Sequence, residues 1–168
     1  MKEILKYSCL IFLYALSHSY LATCFAIDLK IKGYEERYIG LSLSFWGIGV
    51  ILGALLHNLI RKKLNLFSTI LYGSIIQLSF SLVFLIDQNT FLVALMQFVM
   101  GITSAINSLT LESHISSKFK KTSGFYISLF WSSAGLGAIT GSLFICLLYT
   151  SDAADDMQCV DLGGRRII

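Results

Sequence analysis

Four ionisable side chains lie within or beside long apolar stretches of the chain: His18, His57, Glu112 and His114. His18 is the foremost candidate for chemistry, because a histidine in apolar surroundings can contact a ligand or exchange a proton near neutral pH. A structural histidine that only hydrogen-bonds its neighbours is an equal alternative. For His57 we expect a gating or packing role.

Glu112 lies six to nine residues before three lysines, Lys118, Lys120 and Lys121. The first interpretation is a structural ion pair across a gate, and the second is proton coupling.

Motifs of common enzyme classes are absent from the sequence. It contains no Walker A loop, HExxH motif, nucleophile elbow or Cys/His cluster. Before residue 146 the only cysteines are Cys9 and Cys24, which share one apolar run and offer neither a disulfide framework nor a metal-ligand spacing. We therefore expect no catalytic residue, no cofactor and no metal. The net charge of +3 gives no indication of a nucleic-acid partner.

Five apolar runs must position these side chains, at residues 7–27, 39–60, 67–86, 91–111 and 125–148. Each run is long enough to cross a bilayer, because a hydrocarbon core of about 30 Å needs roughly 20 residues of helix. The mean hydropathy is +0.73, and charged residues make up only 14% of the chain. The predicted fold class is therefore all-α, a multi-span transmembrane helix bundle whose partner is the lipid bilayer.

Basic residues are unevenly placed around these runs. Three lie on one side, Lys30, Lys32 and Arg37, and eight lie on the other. The positive-inside rule then predicts a cytoplasmic amino terminus. A cleaved signal peptide is the alternative for the first run, with Cys24-Phe25-Ala26 or the lipoprotein-like Leu21-Ala22-Thr23-Cys24 as its exit, but Ser17, His18 and Ser19 interrupt the run and four more runs follow. The eight basic residues on the predicted cytoplasmic side are Lys2, Lys6, Arg61, Lys62, Lys63, Lys118, Lys120 and Lys121.

The fourth run separates apolar from polar residues. Polar groups left in lipid cost several kcal/mol each, so a broad polar side predicts contact with a bundle interior or a watery cavity. Hydrogen bonding between helices without a cavity is the alternative. The apolar side comprises Leu95, Phe98, Ile102, Ala105, Ile106 and Leu109. The polar stripes comprise Gln97, Gly101, Ser104, Ser108 and Glu112, then Thr103, Asn107, Thr110 and His114.

Small and polar residues also mark the second and fifth runs. Two GxxxG pairs, Gly49 with Gly53 and Gly137 with Gly141, are typical of close helix packing. Trp131, near the middle of the fifth run, either stacks on a substrate or packs as an aromatic. The substrate-cavity candidates are His18, Gln97, Ser104, Asn107, Ser108, Ser128, Trp131 and Ser132.

Residues 146–168 break the membrane pattern and resemble a translated sequencing adapter. Residues 146–155 and 160–168 match its inner and outer parts in one reading frame, while a native acidic tail is the alternative. We expect native sequence to end near Ile145. Because the tail holds four acidic and two basic residues, the remainder has a net charge of 11 − 6 = +5. From Asp152 onward we expect a solvent-exposed or poorly defined segment.

Residues 53–63 comprise the end of the second run and the three basic residues that follow it, Arg61, Lys62 and Lys63. Gly53, Leu55, Arg61 and Lys62 agree with the signature loop of the major facilitator superfamily, whereas His57 stands where that family has Asp. Residues 4–145 as a whole resemble the amino-terminal half of such a transporter. The likeness is closer to a largely uncharacterised bacterial branch with an Asp-free loop and a Glu-Ser pair, here Glu112-Ser113.

The resemblance implies a six-plus-six helix transporter of a small molecule in a bacterial cytoplasmic membrane, with a proton as a candidate co-substrate. This chain would supply five helices of an incomplete six-helix half. Its gate and loop candidates are Gly53, His57, Arg61, Lys62 and Glu112. The competing class is a non-transport membrane protein, such as an assembly factor or a membrane-embedded enzyme. A second six-span block in the adjoining sequence would favour transport.

Overall fold

The computed structural model describes residues 2–82 and 89–152, which form five α-helices and, within those ranges, no strand. The helices are α1 (Lys2–Ile31), α2 (Glu36–Lys63), α3 (Leu66–Leu82), α4 (Thr90–Lys118) and α5 (Ser123–Asp152). Four of them, α1, α2, α4 and α5, are long and apolar enough to cross a membrane. The all-α prediction is confirmed, and the chain is an integral membrane protein in contact with lipid.

The helices extend past the predicted apolar runs, because polar residues at their ends continue the helical backbone. α4 begins where the Asn89 side chain accepts a hydrogen bond from the Leu92 amide at 2.9 Å. α1 ends in a Schellman turn, with Gly33 at φ +82° and the Tyr34 amide bonded to the Leu29 carbonyl at 3.1 Å. The end of the predicted third run, 83–86, and the predicted tail beyond Asp152 lie outside the described residues.

α2 packs along α4 in one of the two most extensive helix contacts. Gly49 and Gly53 make this approach possible, because a methyl group at either position would overlap the carbonyl oxygen of Phe98 or Ile102. In lipid, where no hydrophobic force drives helices together, small residues permit the backbone contact that holds such a pair.

α5 packs along α1 in an equivalent way. A methyl group at Gly137 or Gly141 would overlap the carbonyl oxygen of Phe12 or Leu16. A hydrogen bond of 2.7 Å between the hydroxyls of Ser19 and Ser142 adds a polar link between the two helices. The two GxxxG pairs therefore hold two matching, parallel helix pairs.

The two pairings repeat along the chain. Gly47, Gly49 and Gly53 recur as Gly135, Gly137 and Gly141, an interval of 135 − 47 = 88 residues. The carbonyl groups that these glycines face also repeat. Phe12 and Leu16 of α1 correspond to Phe98 and Ile102 of α4, at intervals of 98 − 12 = 86 and 102 − 16 = 86 residues. The repeat thus maps α1 onto α4 and α2 onto α5.

Two apolar clusters close the ends of the bundle, and they show how α1 and α4 run. One cluster joins Phe25 and Leu29, late in α1, to Val93 and Met96, early in α4. The other joins Ile4 and Ile11, early in α1, to Leu111 and Ile115, late in α4. α1 and α4 are therefore antiparallel, and the two repeats have inverted orientations.

α4 is the central helix of the described bundle. It contacts α1, α2, α3 and α5, and both its apolar and its polar sides include buried residues. The apolar side lies on the glycines of α2, and Asn107 on the polar side faces Gly73 of α3. α3 packs mainly against α4. The polar residues of α4 are thereby held inside the bundle.

Candidate functional site

A cavity of about 580 Å³ lies halfway along the bundle, between the two apolar clusters. Its walls come from the middle of four helices, within residues 11–22 of α1, 46–50 of α2, 104–108 of α4 and 131–138 of α5. Its size falls in the range of roughly 300–1,000 Å³ that is usual for small-molecule sites. Of the predicted substrate-cavity candidates, His18, Ser104, Ser108 and Trp131 line it.

Three rings form one side of the cavity. His18 lies between Tyr14, at 6.3 Å between ring centroids, and Trp46, at 5.3 Å. Tyr14 and His18 are one helical turn apart on α1, and Trp46 approaches from α2. This aromatic wall, Tyr14–His18–Trp46, presents flat apolar surfaces with a few polar atoms at their edges.

Three polar atoms of the aromatic wall are buried and make no hydrogen bond of standard geometry among the described residues, although Ser104 and Gln77 lie close to Tyr14 and Gln97 lies close to His18. The three atoms are the Tyr14 hydroxyl, His18 Nε2 and Trp46 Nε1. Gln97 is only 2% exposed and lies beside His18, and its Oε1 is also unpartnered within the described chain. These buried atoms therefore lie behind the open surface of the cavity and face one another's helices, as polar groups inside a membrane bundle usually do.

Asn107 belongs to a second, smaller cavity of about 130 Å³ between α1, α3 and α4. Tyr14, Ser104 and Ser108 line both this cavity and the central one. The Ser108 hydroxyl donates to the Ser104 carbonyl at 2.8 Å, so part of the polar stripe bonds to its own helix. The two cavities therefore share a polar border on α4.

Of the three cavity candidates predicted on α5, one lines the cavity and two do not. Trp131 lines it and is 47% exposed, while Ser128 and Ser132 are exposed and are not among its lining residues. The Ser128 hydroxyl donates to the Gly124 carbonyl at 2.8 Å. One residue turns a helix by about 100°, so Ser132 points well away from the direction of Trp131.

Two gate candidates meet at a third cavity of about 300 Å³, far from the aromatic wall. His57 of α2 and Glu112 of α4 both line it. Gly53 lies against α4, Lys62 is exposed, and Arg61 donates to the Leu64 carbonyl at a long 3.4 Å. The expected ion pair of Glu112 with the following lysines stays a prediction.

Tyr14 and Trp46 were not among the predicted site residues. A signal existed for Tyr14, because it precedes His18 by four residues and so shares its helix face. For Trp46 the signal was its position just before the repeated glycine motif. Both rings lie in apolar runs, where aromatic residues are usually attributed to packing.

The central cavity is suited to binding. Among its described lining residues there is no Asp, Glu, Lys or Arg, and the ionisable side chains there are His18 and Tyr14. The part of the chain that the structure describes has no cluster of His, Cys, Asp and Glu that could hold a metal ion. Comparisons with protein-family models, curated proteins and solved structures found no match.

Proposed function

We propose that this chain is part of a secondary active transporter, a member of the major facilitator superfamily, which moves a small molecule across a bacterial cytoplasmic membrane by alternating access. The observation that carries the proposal is the inverted pairing of α1 with α5 and of α4 with α2 around a cavity at mid-length. Inverted repeats that enclose a site near the bilayer midplane are characteristic of secondary transporters.

Two glycines of the repeat that face open space, Gly47 and Gly135, also support the transport proposal. A side chain at Gly47 or Gly135 would meet nothing within 4 Å, in contrast to the packed glycines two residues later. These equivalent positions give α2 and α5 matching small-residue surfaces beside the cavity. In this proposal they are the surfaces that a second half of the transporter contacts as the two halves rock.

Accessibility of the cavity from the two sides of the membrane tests alternating access in the complete protein. Cys9 and Cys24 are replaced by serine, and single cysteines are placed at Ala138, which lines the cavity, and at Leu136, which is 61% exposed and points to nearly the opposite side of α5. A membrane-impermeant thiol reagent is applied to right-side-out and inside-out vesicles. We expect Ala138→Cys to react in both and Leu136→Cys, on the side turned away from the cavity, to react slowly in both.

Labelling of Ala138→Cys from one side alone would contradict alternating access. It would favour the competing class, an assembly factor or membrane-embedded enzyme whose polar stripes only hold helices together. The neighbouring sequence provides a separate check, because a second six-span block supports transport and a soluble catalytic domain opposes it.

A further inference from the structure

We infer that the basic end of the bundle binds the headgroups of anionic phospholipids such as phosphatidylglycerol. The basic end is the end at which α1, α3 and α5 begin and at which α2 and α4 finish. This binding involves the bilayer around the chain and does not depend on the proposed transport function. Helix packing, charge and depth in the membrane each support it.

Helix packing brings the basic segments of the chain together. One apolar cluster joins the start of α1 to the end of α4. α2 runs parallel to α4, because Gly49 faces Phe98 and Gly53 faces Ile102, so these two helices finish at the same end. Short connections, 64–65 and 119–122, then begin α3 and α5 there. The basic residues at the start of α1 and at the ends of α2 and α4 therefore share one end of the bundle.

The two ends differ in charge. Counted along residues 1–145, the segments at the basic end hold eight basic and two acidic residues, a balance of 8 − 2 = +6. The segments at the opposite end hold three basic and four acidic residues, a balance of 3 − 4 = −1. An anionic membrane surface therefore attracts the basic end and gains nothing from the opposite end.

The cations at the opposite end are already neutralised by carboxylates of the chain. Three ion pairs of 2.7 to 3.0 Å hold them: Lys30–Glu36, Lys32–Asp28 and Arg37–Glu35. These three cations consequently have little charge left to offer a lipid phosphate.

Four lysines at the basic end are exposed and make no ion pair with the described part of the chain. They are Lys62, Lys63, Lys120 and Lys121. The carboxylate of Glu112 belongs to the third cavity, beside His57. The ammonium groups of the four lysines are therefore available to an anion from outside the chain.

The lengths of α2 and α4 place these lysines in the headgroup layer. α2 has 28 residues and α4 has 29, so at 1.5 Å per residue they are about 42 and 44 Å long. A bilayer with its headgroup layers is about 40–45 Å thick. Lys62 and Lys63 end α2, and Lys120 and Lys121 follow α4, so all four lie at the level of the lipid phosphates.

Exposed aromatic rings beside the lysines indicate a lipid and not a free phosphate. Phe67 is 73% exposed and follows Lys63 by four residues, while Phe125 is 69% exposed and follows Lys121 by four. Aromatic rings at this depth lie at the boundary between headgroups and acyl chains. A lipid satisfies both surfaces, since its phosphate contacts the lysines and its chains contact the rings.

Native mass spectrometry can count the lipids that stay bound to the 168-residue chain. The chain in mild detergent is titrated with phosphatidylglycerol or with zwitterionic phosphatidylcholine of the same acyl chains. Each basic residue beside an anionic surface strengthens binding roughly fivefold, so we expect phosphatidylglycerol to bind at least about tenfold more tightly. This preference should shrink as the salt concentration rises.

A matched pair of triple variants locates the lipid. Removal of three exposed lysines from the basic end should reduce the preference to less than about threefold, because the attracting charges are lost. Removal of the three paired cations from the opposite end should leave the preference unchanged. The first variant carries Lys62→Gln, Lys120→Gln and Lys121→Gln, and the control carries Lys30→Gln, Lys32→Gln and Arg37→Gln. Circular dichroism checks that both keep the helical fold.

Glycerol phosphate distinguishes a lipid from a free anion. It carries the phosphate without acyl chains, so it should not displace phosphatidylglycerol at equal concentration. Displacement would show that the lysines bind any small phosphate and would overturn the assignment to lipid.

Two further results would overturn the inference. One is equal binding of the two lipids by the unaltered chain. The other is an equal loss of preference in both triple variants, because the paired cations of the opposite end would then contribute as much as the exposed lysines. Neither result bears on transport, which the two-sided labelling of Ala138→Cys tests separately.

Discussion

Single residues define this cavity through polar atoms that the chain leaves unpaired. Around the aromatic wall, His18 Nε2, Trp46 Nε1 and the Tyr14 hydroxyl have no protein partner among the described residues. A bundle that merely packed would be expected to pair such atoms across helices, as Ser19 and Ser142 do. The set therefore marks the place where polar groups of α1, α2 and α4 come together inside the bundle.

His18 offers a direct test of proton coupling. In the complete protein, His18→Ala should abolish proton-driven uptake while substrate exchange or binding stays measurable, because the variant loses the group that changes charge but keeps the Tyr14, Trp46 and Trp131 rings of the cavity. His114→Ala is the control, since His114 packs edge-on against Tyr7 at 5.8 Å, outside the central cavity. Uptake by the His18 variant with unchanged pH dependence would assign His18 a structural role.

Glycines hold whole helices together, and the contribution of each to stability depends on whether it faces a neighbouring backbone or open space. Gly49 and Gly137 lie against neighbouring backbone, while Gly47 and Gly135 face open space. The same substitution should thus have opposite effects at positions only two residues apart.

Alanine substitution in the 168-residue chain tests this contrast. Gly49→Ala and Gly137→Ala should each destabilise the bundle by about 1–3 kcal/mol, because the added methyl forces backbones apart. Gly47→Ala and Gly135→Ala should be neutral or stabilising by up to about 1 kcal/mol, since alanine is the better helix former. Unfolding of the chain in a rising mole fraction of sodium dodecyl sulfate, followed by circular dichroism, measures both. Equal losses at all four positions would contradict the proposed pairing.

At this scale the sequence predicted the helices better than it predicted the cavity. Apolar length alone located the five helices, because a membrane helix must be apolar along most of its length. Ser128 and Ser132 illustrate what remained uncertain: helix rotation about its axis is set by neighbouring helices, so a polar sector does not reveal which of its edges meets a cavity. Trp46 could not be assigned without knowing that α2 places its ring beside His18.

The whole molecule has a predicted orientation that rests on its loop charges. Eight basic residues against three predict that Lys62 is cytoplasmic and Lys30 is outside. In the complete protein without its native cysteines, Lys30→Cys should react with an impermeant thiol reagent added to intact cells, and Lys62→Cys should react only after the membrane is opened. Labelling of position 62 in intact cells would contradict the predicted orientation and favour the opposite one.

The interleaved pairing of the helices has a consequence for how the protein is made. α1 and α2 follow each other in the chain but touch little, and their main partners, α5 and α4, are encoded much later. The residues that meet in the α1–α5 contact, Leu16 and Gly141, are separated by 141 − 16 = 125 residues. At a synthesis rate of about 5–20 residues per second, α1 waits in the membrane for roughly 6–25 s before its partner leaves the ribosome. During that interval the polar residue His18, in the middle of α1, has no partner helix to shield it from lipid. Nascent α1 is therefore expected to depend on a membrane chaperone or on the insertion machinery.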